Sequence, residues 1–549
     1  MSEAVQEPPR RIGVVGAGTM GSGIAQLACR FAETLLYDPV PEALERGLTR
    51  AREGLLKEAA KGILSEEQAA GAAARLHAAL PGLDALASSE MVIEAAPERP
   101  ELKRELFVEL CEVVSDDCVL ATNTSSLPVT GVAAAATHPE RVVGMHFFNP
   151  APLMRLVEVI AGVRSDERAL AVAQAAGEAM GKTVIRAADV PGFLVNRCNR
   201  PFGLEGLKLL AEQVADVQSI DRICRLQGGF RMGPFELSDL VGVDTGFDVS
   251  QSFYELSFGE PRWRPSPLQA RQVAAGLTGR KAGRGWYDYA AESRHRPDDP
   301  EPPSPEPPSS GEAIVVISGQ GTLASELREA AAGAGYEVRS PAQPSHGELP
   351  ALIVRCEISG GESREEPGHE TAPHSAHGAP ELILCAGGSL AALDAGGAAA
   401  GFHVVGPLAG AKLVELTRTS GTSPLAAARA QRFVAALGRH VCWVADCPGL
   451  VLGRIVCQLI NECAFALGEG VGSAQDIDKG MLLGLNHPHG PLAWGDEIGL
   501  PHVLAVLDAL WRERREERYR AAPRLRSLVM EGRTGTRVGA GFFDYELEP

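Results

Sequence analysis

A doubly wound α/β domain followed by an all-α domain, the pair duplicated in tandem, is the fold class this 549-residue sequence predicts. Three observations predict it. Short apolar runs (RIGVVG, SEMVIEAA, CVLATN, RVVGMHFF) alternate with helix-like segments early in the chain. That alternation suits a parallel sheet with helices on both faces. From about Asp189 the strand-like runs give way to helical periodicity. Finally, the halves match each other in order. HFFNPAPLMRLVEVI (His146 to Ile160) pairs with HVVGPLAGAKLVELT (His403 to Thr417), and VPGFLVNR, ending at Arg197, with CPGLVLGR, ending at Arg454. MGPFELSDLVGVD pairs with HGPLAWGDEIGLP, and GRKAGRGWYDY with GTRVGAGFFDY. The first histidine and the following proline are 45 positions apart in both halves (146 to 191, 403 to 448). Ordered matches at fixed spacing imply two copies of one module.

The expected division is 1–188 (α/β), 189–290 (helical), 291–311 (linker), 312–443 (degenerate α/β) and 444–549 (second helical domain). The linker stretch from Glu292 to Gly311 is Pro-rich and acidic and reads as an extended, semi-rigid spacer. Ser359 to Pro380 reads as a polar loop, and His369, His374 and His377 within it as incidental rather than metal ligands. The eleven cysteines form no CxxC pair, so no metal site is expected. A formal net charge of −18 argues against a nucleic-acid partner and against an anionic membrane surface. MSEAVQEPPRR has no apolar core of a signal peptide, and no uncharged apolar run is long enough to span a bilayer. A cytoplasmic protein without a membrane partner is the expectation.

Chemistry enters with GAGTMG, Gly16 to Gly21, directly after an apolar run and opening a helix. Gly16 permits a tight turn, Gly18 lets backbone approach a pyrophosphate, and Gly21 allows helix to pack closely on strand. With Thr19 and Met20 this turn aims free N–H groups at the phosphates. Asp38, in TLLYDP, supplies the acid expected on the adenosine ribose and disfavours a 2′-phosphate. This is a Rossmann fingerprint, and the expected cofactor is NAD.

The second group is Ser125, His146, Glu158 and Asn196. Oxidising an alcohol needs a base for the hydroxyl proton, and imidazole titrates near working pH. Glu158 stands twelve residues after His146 in the apolar run MRLVEVI, where a carboxylate needs a partner. An imidazole partner would have its tautomer fixed and its cation stabilised.

Taken in order and spacing, GAGTMGSGIA, IEAAPE, NTSSLP, HFFNPAP, LVEVI, PGFLVNR and MGPFELSDL resemble the L-3-hydroxyacyl-CoA dehydrogenase family, strongly over residues 10–290 and weakly over 312–549. The resemblance is to its 3-hydroxybutyryl-CoA or 3-hydroxyadipyl-CoA type. It implies His146 as general acid/base, Glu158 as its orienting carboxylate, and Ser125 and Asn196 at the substrate oxygens. It also implies Asn149, Glu98, Lys103 and Lys281 as cofactor contacts, with solvated surface charge as the alternative for Lys103 and Lys281. An acyl-CoA substrate follows, with CoA near a helical hairpin carrying Arg50, Arg52, Lys57 and Lys61, diluted by Glu45, Glu53 and Glu58.

The second copy keeps His403 and Glu415 at the same separation and a relaxed GxGxxA (Gly319, Gly321, Ala324). Gly453 replaces Asn196, Gly406 replaces Asn149, Gly388 stands opposite Ser125, and Arg339 and Ser340 stand where Asp38 stood. A non-catalytic module is expected. In single-module relatives the helical domain dimerises, so an intramolecular pseudo-dimer, or else a homodimer, is expected. The rival readings are an NAD-dependent dehydrogenase of free hydroxy acids or sugar acids, and an NAD-binding relative without activity.

Overall fold

The computed structural model describes residues 6–289, 296, 299–309, 311–341, 349–358 and 378–546. His369, His374 and His377 lie outside them. The chain divides into two compact units, residues 1–197 with 469–485, and residues 198–468 with 486–549.

The first unit is built on an eight-stranded sheet. Its strands are β1 (Arg11–Val15), β2 (Glu33–Tyr37), β3 (Leu76–Ala78), β4 (Met91–Glu94), β5 (Val119–Thr122), β6 (Val142–Phe147), β7 (Leu156–Ala161) and β8 (Thr183–Ala188). They lie in the order β3-β2-β1-β4-β5-β6-β7-β8. Every neighbouring pair is parallel except β6 and β7. The continuous apolar runs arise because the central strands are covered on both faces. In β1, Ile12 and Val14 face one core, with Ile24 and Leu27. Val15 faces the other, with Leu86, Phe107 and Leu110. The helices used below are α1 (Thr19–Ala28), α2 (Pro41–Ala60), α3 (Glu66–Ala74), α4 (Pro100–Val113) and α5 (Val195–Cys198). α2 and α3 are the expected hairpin. Residues 189–197, expected to open the helical domain, stay with this sheet.

The second unit starts with α6 (Arg200–Ala211) and α7 (Val217–Leu226). A seven-stranded sheet follows: β9 (Ile314–Ser318), β10 (Glu337–Arg339), β11 (Leu352–Arg355), β12 (Glu381–Leu384), β13 (Ala400–His403), β14 (Leu413–Thr417) and β15 (His440–Val444). Its order, β10-β9-β11-β12-β13-β14-β15, repeats the first sheet without a partner for β3, and β13 and β14 are again the antiparallel pair. Helix α8 (Thr322–Gly333) follows the degenerate glycine turn, and α9 (Leu452–Gly468) packs against α6. Only residues 340–351 separate β10 from β11, fewer than the hairpin of α2 and α3 after β2 occupies. The described part of the linker is docked rather than a free spacer. Asp299 takes both nitrogens of the Arg225 fork at 3.1 and 3.2 Å, and His440 Nε2 donates to the Pro300 carbonyl at 3.0 Å.

Helix α10 (Ala474–Leu485) comes from the second copy but belongs to the first unit, where it packs on β7 and β8. Reciprocally, α7 of the first copy packs on β14 within the second unit. No helix among the described residues is long and apolar enough to cross a membrane.

Candidate active site

The glycine turn carries the three roles separately. Gly16 has φ +98°, and a β carbon there would come within 2.6 Å of the Ala95 carbonyl. A β carbon on Gly21 would lie 1.7 Å from the Gly16 carbonyl, so helix and turn touch backbone to backbone. Gly18 has open space around it and caps α1 without any side-chain bond. Thr19 and Met20 open α1 over that space, leaving the first-turn N–H groups available to an anion. The Asp38 carboxylate closes the turn, accepting the N–H of Ala17 at 2.8 Å and of Val40 at 3.0 Å. Open backbone, an uncapped helix start and an adjacent carboxylate fit a dinucleotide.

The next layer is a buried charge cluster. Glu94 ends the apolar strand β4 and is fully buried. One of its oxygens takes Lys103 Nζ at 2.6 Å and the Ala96 N–H at 2.7 Å, and the other takes the Thr122 hydroxyl at 2.6 Å. Lys103, on α4, is enclosed at 0% exposure. It is neither a solvated surface charge nor open to a cofactor. Its second partner is Glu98, at 3.4 Å. Glu98 in turn gathers the loop after β5. A single oxygen accepts the Thr124 hydroxyl at 2.6 Å, the N–H groups of Ser125 and Ser126 at 2.8 and 3.0 Å, and the Ser126 hydroxyl at 3.1 Å. Burial would raise the Glu98 carboxyl, but the Thr124 bond, the Lys103 charge and the two amides outweigh it and hold it below the usual range. Ser125 is exposed, its hydroxyl 3.4 Å from Glu98.

His146 and Glu158 meet because β6 and β7 run antiparallel in a register that sets them opposite. The twelve-residue separation is the length of that hairpin. Nδ1 of His146 lies 2.6 Å from a Glu158 oxygen. A carboxylate only accepts, so Nδ1 carries the proton and Nε2 is left as the basic nitrogen. The other oxygen of Glu158 accepts the N–H groups of Leu194 and Val195 at 3.1 and 3.0 Å. Those amides are turned inward by Gly192 and Phe193, both left-handed at φ 74° and 51°. Phe193 holds that conformation against its side chain's preference, a local strain that the packed turn sustains. Val195 is followed by Asn196, half-buried in α5. The His146 ring lies against Phe148, with centroids 4.7 Å apart. Directly after β5, Asn123 accepts the Phe147 N–H at 2.9 Å and ties the end of β6 in place.

The remaining expected residues scatter. Asn149 is exposed at the start of the loop after β6. Lys281 belongs to the second unit and pairs with Asp244 at 2.7 Å. Arg50 is taken by Ser22 and Arg52 by the Leu76 carbonyl, whereas Lys57 and Lys61 stay exposed. Sequence reasoning missed Glu94 and Asn123. Glu94 was findable by the argument used for Glu158, since a carboxylate inside MVIE also demands a partner.

In the second copy His403 and Glu415 keep the cross-strand register. Glu415 still accepts two amides, from Val451 and Leu452 at 2.7 and 3.0 Å. The dyad is nevertheless broken. His403 turns to His502, Nε2 to Nε2 at 3.0 Å, and its Nδ1 has no partner. Burial and the neighbouring imidazole hold His403 well below its usual pKa, and burial pushes Glu415 up to about 8. A β carbon on Gly453 would lie 2.3 Å from the His403 ring, so no asparagine fits where Asn196 stands in the first copy.

Residues 11–190 match the 3-hydroxyacyl-CoA dehydrogenase NAD-binding domain, and residues 192–289 and 449–545 each match the C-terminal domain of the same family. A 3-hydroxyadipyl-CoA dehydrogenase of Escherichia coli (strain K12) is 34% identical over 522 residues, 94% of this chain and 97% of that protein. The chain belongs to the 3-hydroxyacyl-CoA dehydrogenase family. It is an NAD-dependent enzyme of that family. A 3-hydroxybutyryl-CoA dehydrogenase of Bradyrhizobium diazoefficiens is 39% identical over 281 residues, 51% of this chain and 95% of that one. The crystal structure of a 3-hydroxybutyryl-CoA dehydrogenase from Escherichia coli K12 superposes with a TM-score of 0.78 at 33% identity, covering 96% of this chain and 100% of that one.

Proposed function

We propose that this chain reversibly oxidises a short L-3-hydroxyacyl-CoA, of the hydroxybutyryl or hydroxyadipyl kind, to the 3-oxoacyl-CoA, using the first copy alone. The observation that carries the reading is the 2.6 Å bond from His146 to a carboxylate already held by two amides. Nε2 of His146 takes the C3 hydroxyl proton, and Glu158 stabilises the imidazolium that results. Ser125 and Asn196 hold the substrate oxygens. Bound NAD would supply the acceptor for the hydride that leaves C3. Gly16, Gly18, Thr19, Met20 and Gly21 would hold its pyrophosphate, Asp38 its adenosine ribose and Asn149 its nicotinamide side, with Glu98 a further cofactor contact and Lys103 acting from beneath Glu98. The location is cytoplasmic and the pathway fatty-acid β-oxidation chemistry. Eleven free cysteines, most of them buried, suit a reducing compartment.

The test is a substrate panel of 3-hydroxybutyryl, 3-hydroxyhexanoyl and 3-hydroxyadipyl thioesters against the corresponding free acids, followed by NADH absorbance. Turnover confined to thioesters is expected; equal turnover of a free acid would replace this reading with the hydroxy-acid one. Replacing Asp38 with serine should weaken NAD binding about tenfold to a hundredfold, the worth of a charge-assisted hydrogen bond, and narrow the gap to NADP. An unchanged cofactor ratio in titration calorimetry would remove Asp38 from the ribose.

The second copy is a packing module. Its His403 bonds His502 rather than Glu415, and a glycine, Gly453, lies against its ring. His403→Asn should therefore leave kcat per folded molecule within about twofold, far below the effect of losing an acid/base group. A hundredfold loss would mean two working sites. The two copies form an intramolecular pseudo-dimer. Arg197 pairs with Glu469 at 2.7 Å, and Arg454 with Glu212 at 2.8 Å. Glu212 and Glu469 follow Arg197 and Arg454 at the same spacing, so residue i of one copy meets residue j of the other and the reverse, as in an isologous interface.

A further inference from the structure

We propose that the second copy, without a dyad of its own, positions the dyad of the first through α10. The proposal rests on the reading of His146 and Glu158 given above. Within the first unit α10 lies on β7 and β8 with two glycines, Gly480 and Gly484, one helical turn apart and both buried. They are the points of closest approach. A β carbon on Gly480 would sit 2.8 Å from Val195 Cγ2 and 3.0 Å from Ile185 Cδ1. A β carbon on Gly484 would sit 2.9 Å from Leu156 Cδ2, 3.3 Å from Val195 Cγ1 and 3.4 Å from the Phe148 ring.

Three of these neighbours stand one step from the reacting groups. Val195 gives its N–H to Glu158 and precedes Asn196. Phe148 lies against the His146 ring. Leu156 is two residues before Glu158 on β7, on the same strand. The start of the helix is anchored as well, by the Ala188 N–H to the Val471 carbonyl at 2.8 Å and by Arg197 to Glu469. α10 therefore backs the strained turn that aims two amides at Glu158, and it backs the ring beside the base.

The reciprocal contact supplies the contrast. On the second sheet the corresponding helix is α7, and the positions matching Gly480 and Gly484 are Ile223 and Gln227, both buried. The copy with the closely seated helix has the intact dyad. The copy with bulkier residues has the broken one. Glycine inside a helix is destabilising relative to alanine, so two on one face answer to a packing need.

The test uses the full chain carrying Gly480→Ala or Gly484→Ala. Each added methyl should displace the 194–196 turn and lower kcat about tenfold or more, since small misplacements of catalytic groups are costly. The dissociation constant for NAD should stay within about twofold, because the glycine turn is untouched. The histidine titration of His146, followed by NMR without substrate, should shift in both variants. Adding Val195→Ala to Gly480→Ala removes the methyl that is struck and should restore most of the lost rate. Unchanged kcat and an unchanged His146 titration would overturn the proposal. So would a loss of activity that only tracks the folded fraction, or a double variant no better than the single one. If the unsubstituted chain does not turn over 3-hydroxyacyl thioesters, the catalytic reading fails instead, and the NMR titration still reports on the positioning.

Discussion

Replacing His146 with glutamine should lower kcat by between about a hundredfold and ten-thousandfold, the usual worth of a positioned acid/base group. Glutamine keeps a polar side chain of similar length, so Glu158 retains a donor and the fold is spared. The dissociation constant for NAD should change little, because every group proposed for its phosphates and adenosine lies on the β1 turn and the end of β2. The split is the diagnostic. An interaction made only as the proton leaves lowers kcat and kcat/KM together and leaves cofactor binding alone. Steady-state kinetics with 3-hydroxybutyryl-CoA, beside calorimetric titration of NAD, check it. Comparable damage to rate and to NAD affinity would place His146 in a structural role.

Lys103→Met should be the most destabilising of the substitutions considered. Lys103 and Glu94 are both fully enclosed and bonded at 2.6 Å. Removing the cation leaves Glu94 buried with one amide and one hydroxyl, and an uncompensated buried charge costs about 3–5 kcal/mol. For a unit of this size each kcal/mol is worth about 2–4 °C, so the melting transition should fall by about 10 °C. Lys103→Met combined with Glu94→Gln should recover part of it, because the charge leaves with its partner. Glu98 loses the same cation, so the Thr124–Ser126 loop loosens and the KM for substrate rises in the surviving enzyme. Scanning calorimetry and kinetics at low temperature check the two effects. A fall of less than about 2 °C would show that the cluster carries no such charge imbalance.

How far the site is legible depends on how local each constraint is. The glycine turn reads directly, because tight turn, open approach and close packing are each demanded of single positions a few residues apart. The pairing of His146 with Glu158 reads because an antiparallel register converts a hairpin length into a spacing. Lys103 does not read. A lysine on a helix looks like surface charge until the strand beneath it is known to end in Glu94. Asn123 is invisible for a related reason, since its role is to accept one backbone amide of a strand adjacent only in space. The loss of the second dyad is half legible. Gly453 shows that an amide is missing, but the rotation of His403 toward His502 depends on a partner 99 residues away.

The sequence by itself determined the doubly wound sheet, its duplication, the glycine turn and the pairing of His146 with Glu158, because each is set by periodicity or by spacing within one stretch of chain. Only the tertiary structure decided which copy's helix lies on which sheet, and that Arg197 meets Glu469 across 272 residues. Such contacts are fixed by the packing of surfaces that no local pattern encodes. Burial and charge pairing select one arrangement among many that the same helices and strands would allow.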